Sequence, residues 1–203
     1  MTTGRYIAFE GAEGCGKSTL AARAAERLHA VLTRETGGTE IGRRIRTILH
    51  DTSVTDLSHR AEALLVAADR AQHIEQVVAP ALTAGRHVVS DRSVYSTLAY
   101  QGHGRGLALD EVRAVNEWAV NGWWPDLVIL LDVDHTVLER RMRGRQLDRF
   151  EQEGADFHAR VRAGFRDLAD AEPERWVVID GGQPLDAVSR AVARAITERL
   201  GLP

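Results

Sequence analysis

The run Phe9-Glu10-Gly11-Ala12-Glu13-Gly14-Cys15-Gly16-Lys17-Ser18-Thr19 concentrates residue types that bind phosphate. Its spacing is G-x-x-x-x-G-K-S, a phosphate-binding loop pattern. Gly11, Gly14 and Gly16 let the backbone turn tightly and approach a ligand without Cβ clashes. The N–H groups of such a turn, and of the helix that follows it, face an anion. Residues Gly11 to Thr19 are therefore the candidate nucleotide-binding set. Lys17 is placed to reach the outer phosphates, and the Ser18 hydroxyl to hold Mg²⁺. Of the 26 basic residues, Lys17 is the only lysine. A compact ammonium on a flexible stem suits that cradle, and a planar guanidinium does not replace it.

The motif requires a strand before it and a helix after it. Tyr6-Ile7-Ala8-Phe9 is apolar enough for a buried strand, and Leu20, Ala21, Ala24, Ala25 and Leu28 mark one helix face. Further apolar runs, Ala30–Thr33, His87–Ser90, Leu127–Leu131 and Trp176–Ile179, predict four more strands. Helical spacing between them includes Ile41 to Leu49, Arg60 to Thr83 with Pro80 as a kink or break, Leu107 to Val120, Phe157 to Leu168, and Leu185 to Leu200. Alternating strands and helices predict an α/β fold with a parallel sheet covered on both faces. Asp91-Arg92 falls at the carboxyl end of the third strand, where ligands bind in open α/β sheets. There Asp91 is a candidate Mg²⁺ ligand and Arg92 a fork for a phosphate.

Arg140, Arg141, Arg143, Arg145 and Arg149 crowd one segment with Asp148 and Glu151. Like charges so dense repel one another unless anions meet them. With Gly144 among them, the segment of about residues 140–153 reads as a mobile lid that brings arginines over transferring phosphates. Trp118, Trp123 and Trp124 precede Pro125 and a strand, and are read as packing or subunit-contact residues.

The 203 residues fit one domain, and the formal charge of −3 does not point to a nucleic-acid partner. The single cysteine excludes an internal disulfide. With no apolar leader and no apolar run long enough to span a bilayer, a cytoplasmic location with no membrane partner is expected.

Five segments carry a resemblance to the bacterial thymidylate kinases. These are the loop Phe9–Thr19; Thr33-Arg34-Glu35-Thr36-Gly37-Gly38-Thr39; Ala68-Asp69-Arg70-Ala71-Gln72-His73; Asp91-Arg92 with Ala99-Tyr100-Gln101-Gly102; and Pro125-Asp126-Leu127 leading to Asp148-Arg149-Phe150-Glu151. The resemblance implies a P-loop NTPase fold with a five-stranded parallel sheet, a homodimer, and phosphoryl transfer from ATP with Mg²⁺ to dTMP. By matching position, Glu10 resembles a carboxylate near the sugar and metal, Arg70 the acceptor-side arginine, and Arg92 the acceptor-phosphate ligand. Thr97 and Gln101 resemble base-pocket residues, and Tyr100 the ring that excludes a 2′-hydroxyl. The loop lacks an arginine between Gly14 and Lys17, as in a bacterial subtype whose lid arginines supply the transition-state charge. Arg141, Arg143 and Arg145 are the candidates, with Arg143 and Arg145 taken as catalytic.

Three positions depart from the family pattern. Thr36 stands where proline is usual, and Ser93 where an aromatic is frequent. Val66 stands four residues before Arg70, where the family has a base-stacking phenylalanine. The alternative acceptor is therefore a different or modified pyrimidine nucleotide. A nucleotide-binding regulator without turnover is disfavoured because both the Asp-Arg pair and the lid arginines are present.

Overall fold

In a computed structural model, which describes residues 4–203, five parallel strands form one sheet in the order β2-β3-β1-β4-β5. The strands are β1 (Tyr6–Gly11), β2 (Val31–Arg34), β3 (Val88–Asp91), β4 (Leu127–Asp132) and β5 (Trp176–Asp180). The helices are α1 (Lys17–Leu28), α2 (Glu40–His50), α3 (His59–His73), α4 (Ala79–Thr83), α5 (Val94–Thr97), α6 (Leu109–Val120), α7 (His135–Met142), α8 (Ala155–Ala171) and α9 (Leu185–Leu200).

The period-2 geometry of a strand explains why the central runs are apolar at every position. Ile7, Phe9, Val89, Leu127, Ile129 and Leu131 face α1 and α9 in one core cluster. Their neighbours on the other face split between two clusters. Val128 and Leu130 join residues of α5, α6 and α8, and Tyr6 and Val88 pack with Ile74, Val78 and Leu82. Full burial of each large apolar side chain contributes about 1.5–3 kcal/mol, so the sheet interior is the rigid base of the molecule.

The expected long helix over Arg60–Thr83 is present, but its path is modified. α3 runs into a π-helical turn, Ile74–Val78, and then into α4. Pro80 has no N–H, and its ring would press on the carbonyl four residues back. The wider turn just before it accommodates both effects, and helical structure continues through Thr83. A second π-helical segment, Leu98–Gly104, continues α5 and carries Tyr100 and Gln101. Such turns recur at functional sites.

The chain leaves β1 for β2 at one edge, returns to β3 between them, and from β3 crosses past β1 to β4 and β5 on the other side. The crevice at the carboxyl ends of β1 and β3 is a topological switch point. The glycine-rich loop follows β1 and Arg92 follows β3, so both open into that crevice.

Candidate active site

The phosphate loop is shaped by close approach. Gly11 has φ 138°, and a Cβ there would lie 2.6 Å from the Leu131 carbonyl oxygen and 3.0 Å from the Cys15 Sγ. Gly16, just before α1, has φ 99°, a region that side-chain-bearing residues avoid. α1 begins with no side-chain cap and no acidic residue in its first turn. Its first N–H groups therefore remain available to an anion. Lys17 is 4% exposed. Its Nζ donates to the Ala12 carbonyl at 2.8 Å and lies 3.7 Å from Cys15 Sγ and 3.9 Å from Glu13. The ammonium is folded back over its own loop, held by a carbonyl oxygen that a phosphate oxygen can replace.

Ser18 Oγ donates to Asp91 Oδ2, while Asp91 Oδ1 is buried and has no partner among the described residues. A hydroxyl and an unsatisfied carboxylate oxygen are hard oxygen donors. Mg²⁺ binds through one or two such groups together with phosphates and waters, and the pair fits it.

Arg92 adopts φ 74°, the left-handed region, which costs a side-chain-bearing residue about 1–3 kcal/mol. The strain aims its guanidinium back across the crevice. One end donates to the Gly11 carbonyl at 3.2 Å and Ser96 Oγ at 3.0 Å; the other donates to Glu13 and to the Tyr100 hydroxyl at 3.2 Å. Lys17 foremost, with Arg92 as well, holds the Glu13 carboxyl well below the usual carboxylate range. Glu13 thus bridges two cations.

Glu10 is placed differently from expectation. It is fully buried and accepts from Ser93 N and Oγ, both at 2.8 Å, and from Ser96 N and Oγ. Burial pushes its carboxyl up, against the pull of Arg92 and the two hydroxyls. A strand residue aimed at the start of α5 is consumed in holding that turn. Ser93, a departure from the family pattern, supplies two of the four donors. Of Glu10 and Glu13, the one that lines the pocket is Glu13. Glu10 therefore positions the Arg92–Ser96 turn from behind.

Beside the loop lies a pocket lined by Val66 and Arg70 from α3, by Thr97, Tyr100 and Gln101 from α5 and its continuation, and by Arg92. All six were expected there from the sequence. Thr97 is fully buried, and its Oγ1 has no partner among the described residues. A buried hydroxyl without a partner is costly, so this one fits a ligand group.

Arg70 is more constrained than a simple ligand arginine. It is 1% exposed. Nε donates to Glu35 at 2.8 Å, one terminal nitrogen to Asn116, and the other to the Ser93 carbonyl at 3.1 Å. His73 Nδ1 lies 2.8 Å from the other Glu35 oxygen, and its Nε2 lies 2.7 Å from Thr33 Oγ1. Burial pushes the Glu35 carboxyl up, but Arg70 and His73 outweigh burial and hold it low. This network fixes Arg70 against the pocket wall.

Sequence reasoning missed Arg46, His50 and Phe150, which also line the pocket. Phe150 comes from the loop before α8, where the motif Asp148-Arg149-Phe150-Glu151 was the available signal. His50 Nδ1 meets Asp148 Oδ2 at 2.6 Å, and Phe150 packs edge-on to Tyr100 with centroids 6.1 Å apart. Tyr100 also contacts Phe157 and Phe165 edge-on, at 6.0 and 6.1 Å. Tyr100→Ala would open a cavity among three aromatic rings. By analogy with buried Phe→Ala changes, it should lower unfolding free energy by about 3–5 kcal/mol in urea denaturation. A loss below about 1 kcal/mol would show that the ring contributes little to this core.

The arginines of residues 140–149 divide unexpectedly. Arg141, at the end of α7, reaches the Gly14 carbonyl at 3.4 Å and the Gly181 carbonyl at 3.1 Å. Arg143 and Arg145 are exposed and make no hydrogen bond to the phosphate loop; Arg145 instead lies 3.3 Å from Met142 Sδ and 4.0 Å from Glu151. α7 ends at Met142, between Arg141 and the other two, and Gly144, at φ 79°, turns the chain between Arg143 and Arg145. Of the tryptophans, Trp123 and Trp124 pack against the core, whereas Trp118 is 85% exposed.

A central strand feeding a phosphate loop, an arginine beyond β3, and a pocket beside them define a P-loop nucleoside monophosphate kinase. The family model for thymidylate kinase matches residues 9–192. A thymidylate kinase from Bifidobacterium longum is 44% identical over 97% of this chain and 98% of its own length. One from Desulfovibrio desulfuricans is 45% identical over the same shares. The crystal structure of thymidylate kinase from Ehrlichia chaffeensis superposes with a TM-score of 0.80 at 29% identity, covering 96% of this chain and 99% of that one. The chain belongs to the thymidylate kinase family. The alternative acceptor, a different or modified pyrimidine nucleotide, gains no support from these relatives.

Proposed function

We propose that this protein transfers the γ-phosphoryl group of ATP to dTMP, giving dTDP and ADP. The observation that carries this reading is the pairing of Lys17 and Arg92 across Glu13, at the junction of the phosphate loop and the acceptor pocket. Such transfer needs little covalent chemistry from the protein, and positioning and charge neutralisation do most of the work. Lys17 holds the outer phosphates of ATP. Arg92 holds the acceptor phosphate, releasing Glu13 as it does so. Arg141, Arg143 and Arg145 close from the lid at about residues 140–153 as charge builds between the two phosphates, with Arg141 already at the loop. Ser18 and Asp91 would hold Mg²⁺, which supplies charge neutralisation at the phosphates when bound. Val66, Arg70, Thr97, Tyr100 and Gln101 hold the nucleoside, with the Tyr100 ring against the sugar.

A homodimer in the cytoplasm, where ATP and nucleotides are supplied, completes the reading. Exposed Trp118 on α6 and Leu64 on α3, from helices packed on each other, support a subunit contact.

The test is ADP release measured with dTMP, dUMP, UMP, CMP, AMP and GMP, in the unmodified protein and in Val66→Phe. dTMP should be the preferred acceptor. Offset aromatic stacking adds about 0.5–1.5 kcal/mol beyond burial, so Val66→Phe should lower the dTMP KM by about two- to twelve-fold. A purine as the best acceptor would overturn the assignment. An unchanged KM would show that Val66 does not face the base.

A further inference from the structure

Glu62 sits on α3, fully buried, one helical turn from Val66 on the face that lines the acceptor pocket. The reaction as derived above does not use it. Its Oε1 accepts from Gln101 Nε2 at 2.9 Å and from Arg105 Nε at 3.1 Å. Its Oε2 accepts from Arg105 at 3.1 Å and from the lid residue Arg149. Arg105 is also held by Glu153, and Arg149 by the Leu49 carbonyl at 2.8 Å.

Burial pushes the Glu62 carboxyl up, but Arg105 and Gln101 outweigh burial and hold it low, with Arg149 adding to them. An ionised carboxylate only accepts hydrogen bonds. The amide of Gln101 therefore has one permitted orientation, with its NH₂ towards Glu62. Its carbonyl oxygen is the remaining polar group of a residue that lines the pocket, and it accepts no hydrogen bond among the described residues. The next pocket residue on the same helical segment with a free polar atom is Thr97, whose buried hydroxyl has no partner.

We infer that Glu62 is a positioning residue for base recognition: by anchoring the Gln101 NH₂, it presents the Gln101 carbonyl as a fixed acceptor for a pyrimidine ring N–H. The inference rests on the acceptor assignment proposed above. Thymine and uracil carry a hydrogen at N3, whereas cytosine has a lone pair there. A fixed carbonyl favours the first two and repels the third. If the amide could turn over, its NH₂ would serve cytosine equally well. The arginines that surround Glu62, one of them from the lid, keep the carboxylate charged and so keep the amide from turning.

The test uses Glu62→Gln, whose side chain matches in size but both donates and accepts. The quantity to measure is kcat/KM for dUMP over dCMP, two acceptors that differ only at ring positions 3 and 4. The unmodified protein should prefer dUMP. Removing one oriented hydrogen bond in a closed pocket should narrow that preference by about ten-fold or more, with the change mostly in KM. A role in stability alone would lower both substrates together and leave the ratio unchanged, and that result would overturn the inference. If circular dichroism shows that Glu62→Gln does not fold, Gln101→Leu carries the same expectation, because it removes the oriented oxygen and leaves the carboxylate to its arginines. Failure of the unmodified protein to use dTMP or dUMP would instead sink the acceptor assignment, and this inference with it.

Discussion

Lys17→Arg should abolish phosphoryl transfer almost as completely as Lys17→Ala, although it preserves the charge. The fold explains why. The Lys17 ammonium is buried within its own loop, with a carbonyl at 2.8 Å and a sulfur at 3.7 Å. That space holds a point donor at the end of a flexible stem. A guanidinium is wider, planar and directional, and to fit it would have to displace Cys15, which itself lies 3.0 Å from where a Cβ on Gly11 would be. Removing a preorganised cationic donor from a reacting phosphate costs roughly 10²–10³ in kcat. For Lys17→Arg, kcat should fall by at least about 10²-fold, while the thermal unfolding midpoint stays within a few degrees of the unmodified protein. Turnover within three-fold of the unmodified protein, on the other hand, would mean that charge alone suffices. The composition agrees with the geometric view. Twenty-five arginines serve every other cationic position in the chain, and lysine is kept only here.

Much of this arrangement was legible in the sequence, for identifiable reasons. The phosphate loop is a local feature: one strand end, three glycines and one helix start specify it without help from distant residues. The same holds for Asp91-Arg92, which needs only a strand to end beneath it. The acceptor pocket was partly legible because the family resemblance carries over residue by residue onto α3 and the π-helical segment. What could not be read depends on contacts far apart in the chain. Glu10 and Glu13 are three residues apart and chemically alike. Which one reaches the pocket depends on Ser93 and Ser96, more than 80 positions away, which saturate Glu10. Arg46, His50 and Phe150 enter the pocket because α2 and the loop that carries Asp148 and Phe150 meet beside it, through His50 and Asp148. The division among the lid arginines turns on where α7 ends, at Met142. Helix ends are set by packing as much as by local preference.

Arg92→Lys should be nearly as damaging as loss of Lys17, for a different reason. Arg92 spreads its donors over four partners at once, the Gly11 carbonyl, Ser96, Glu13 and Tyr100, with its guanidinium carbon 5.0 Å from the Tyr100 ring centroid. An ammonium has no planar fork, so it cannot span Glu13 on one side and the Gly11 carbonyl on the other. When the acceptor phosphate arrives, the planar fork can turn from the single Glu13 oxygen to two phosphate oxygens without moving its backbone. The strained φ of 74° has already set that backbone in place. Lysine must give up one partner to gain another, and Glu13 is then left facing an incoming dianion. The loss should therefore appear both in acceptor binding and in the chemical step. kcat/KM for dTMP is expected to fall about 10²–10³-fold, since one charge-assisted, bidentate contact is lost at the reacting phosphates. The ATP KM should change by less than about three-fold, because Lys17 and the α1 amides are untouched. An equal rise in both KM values would mean that Arg92 supports the whole crevice and does not address the acceptor phosphate. Adding Glu13→Gln to Arg92→Lys separates the two contributions. If repulsion from the unpaired carboxylate is part of the defect, the double variant should recover some of the lost dTMP affinity. If it recovers none, the missing fork accounts for the whole loss.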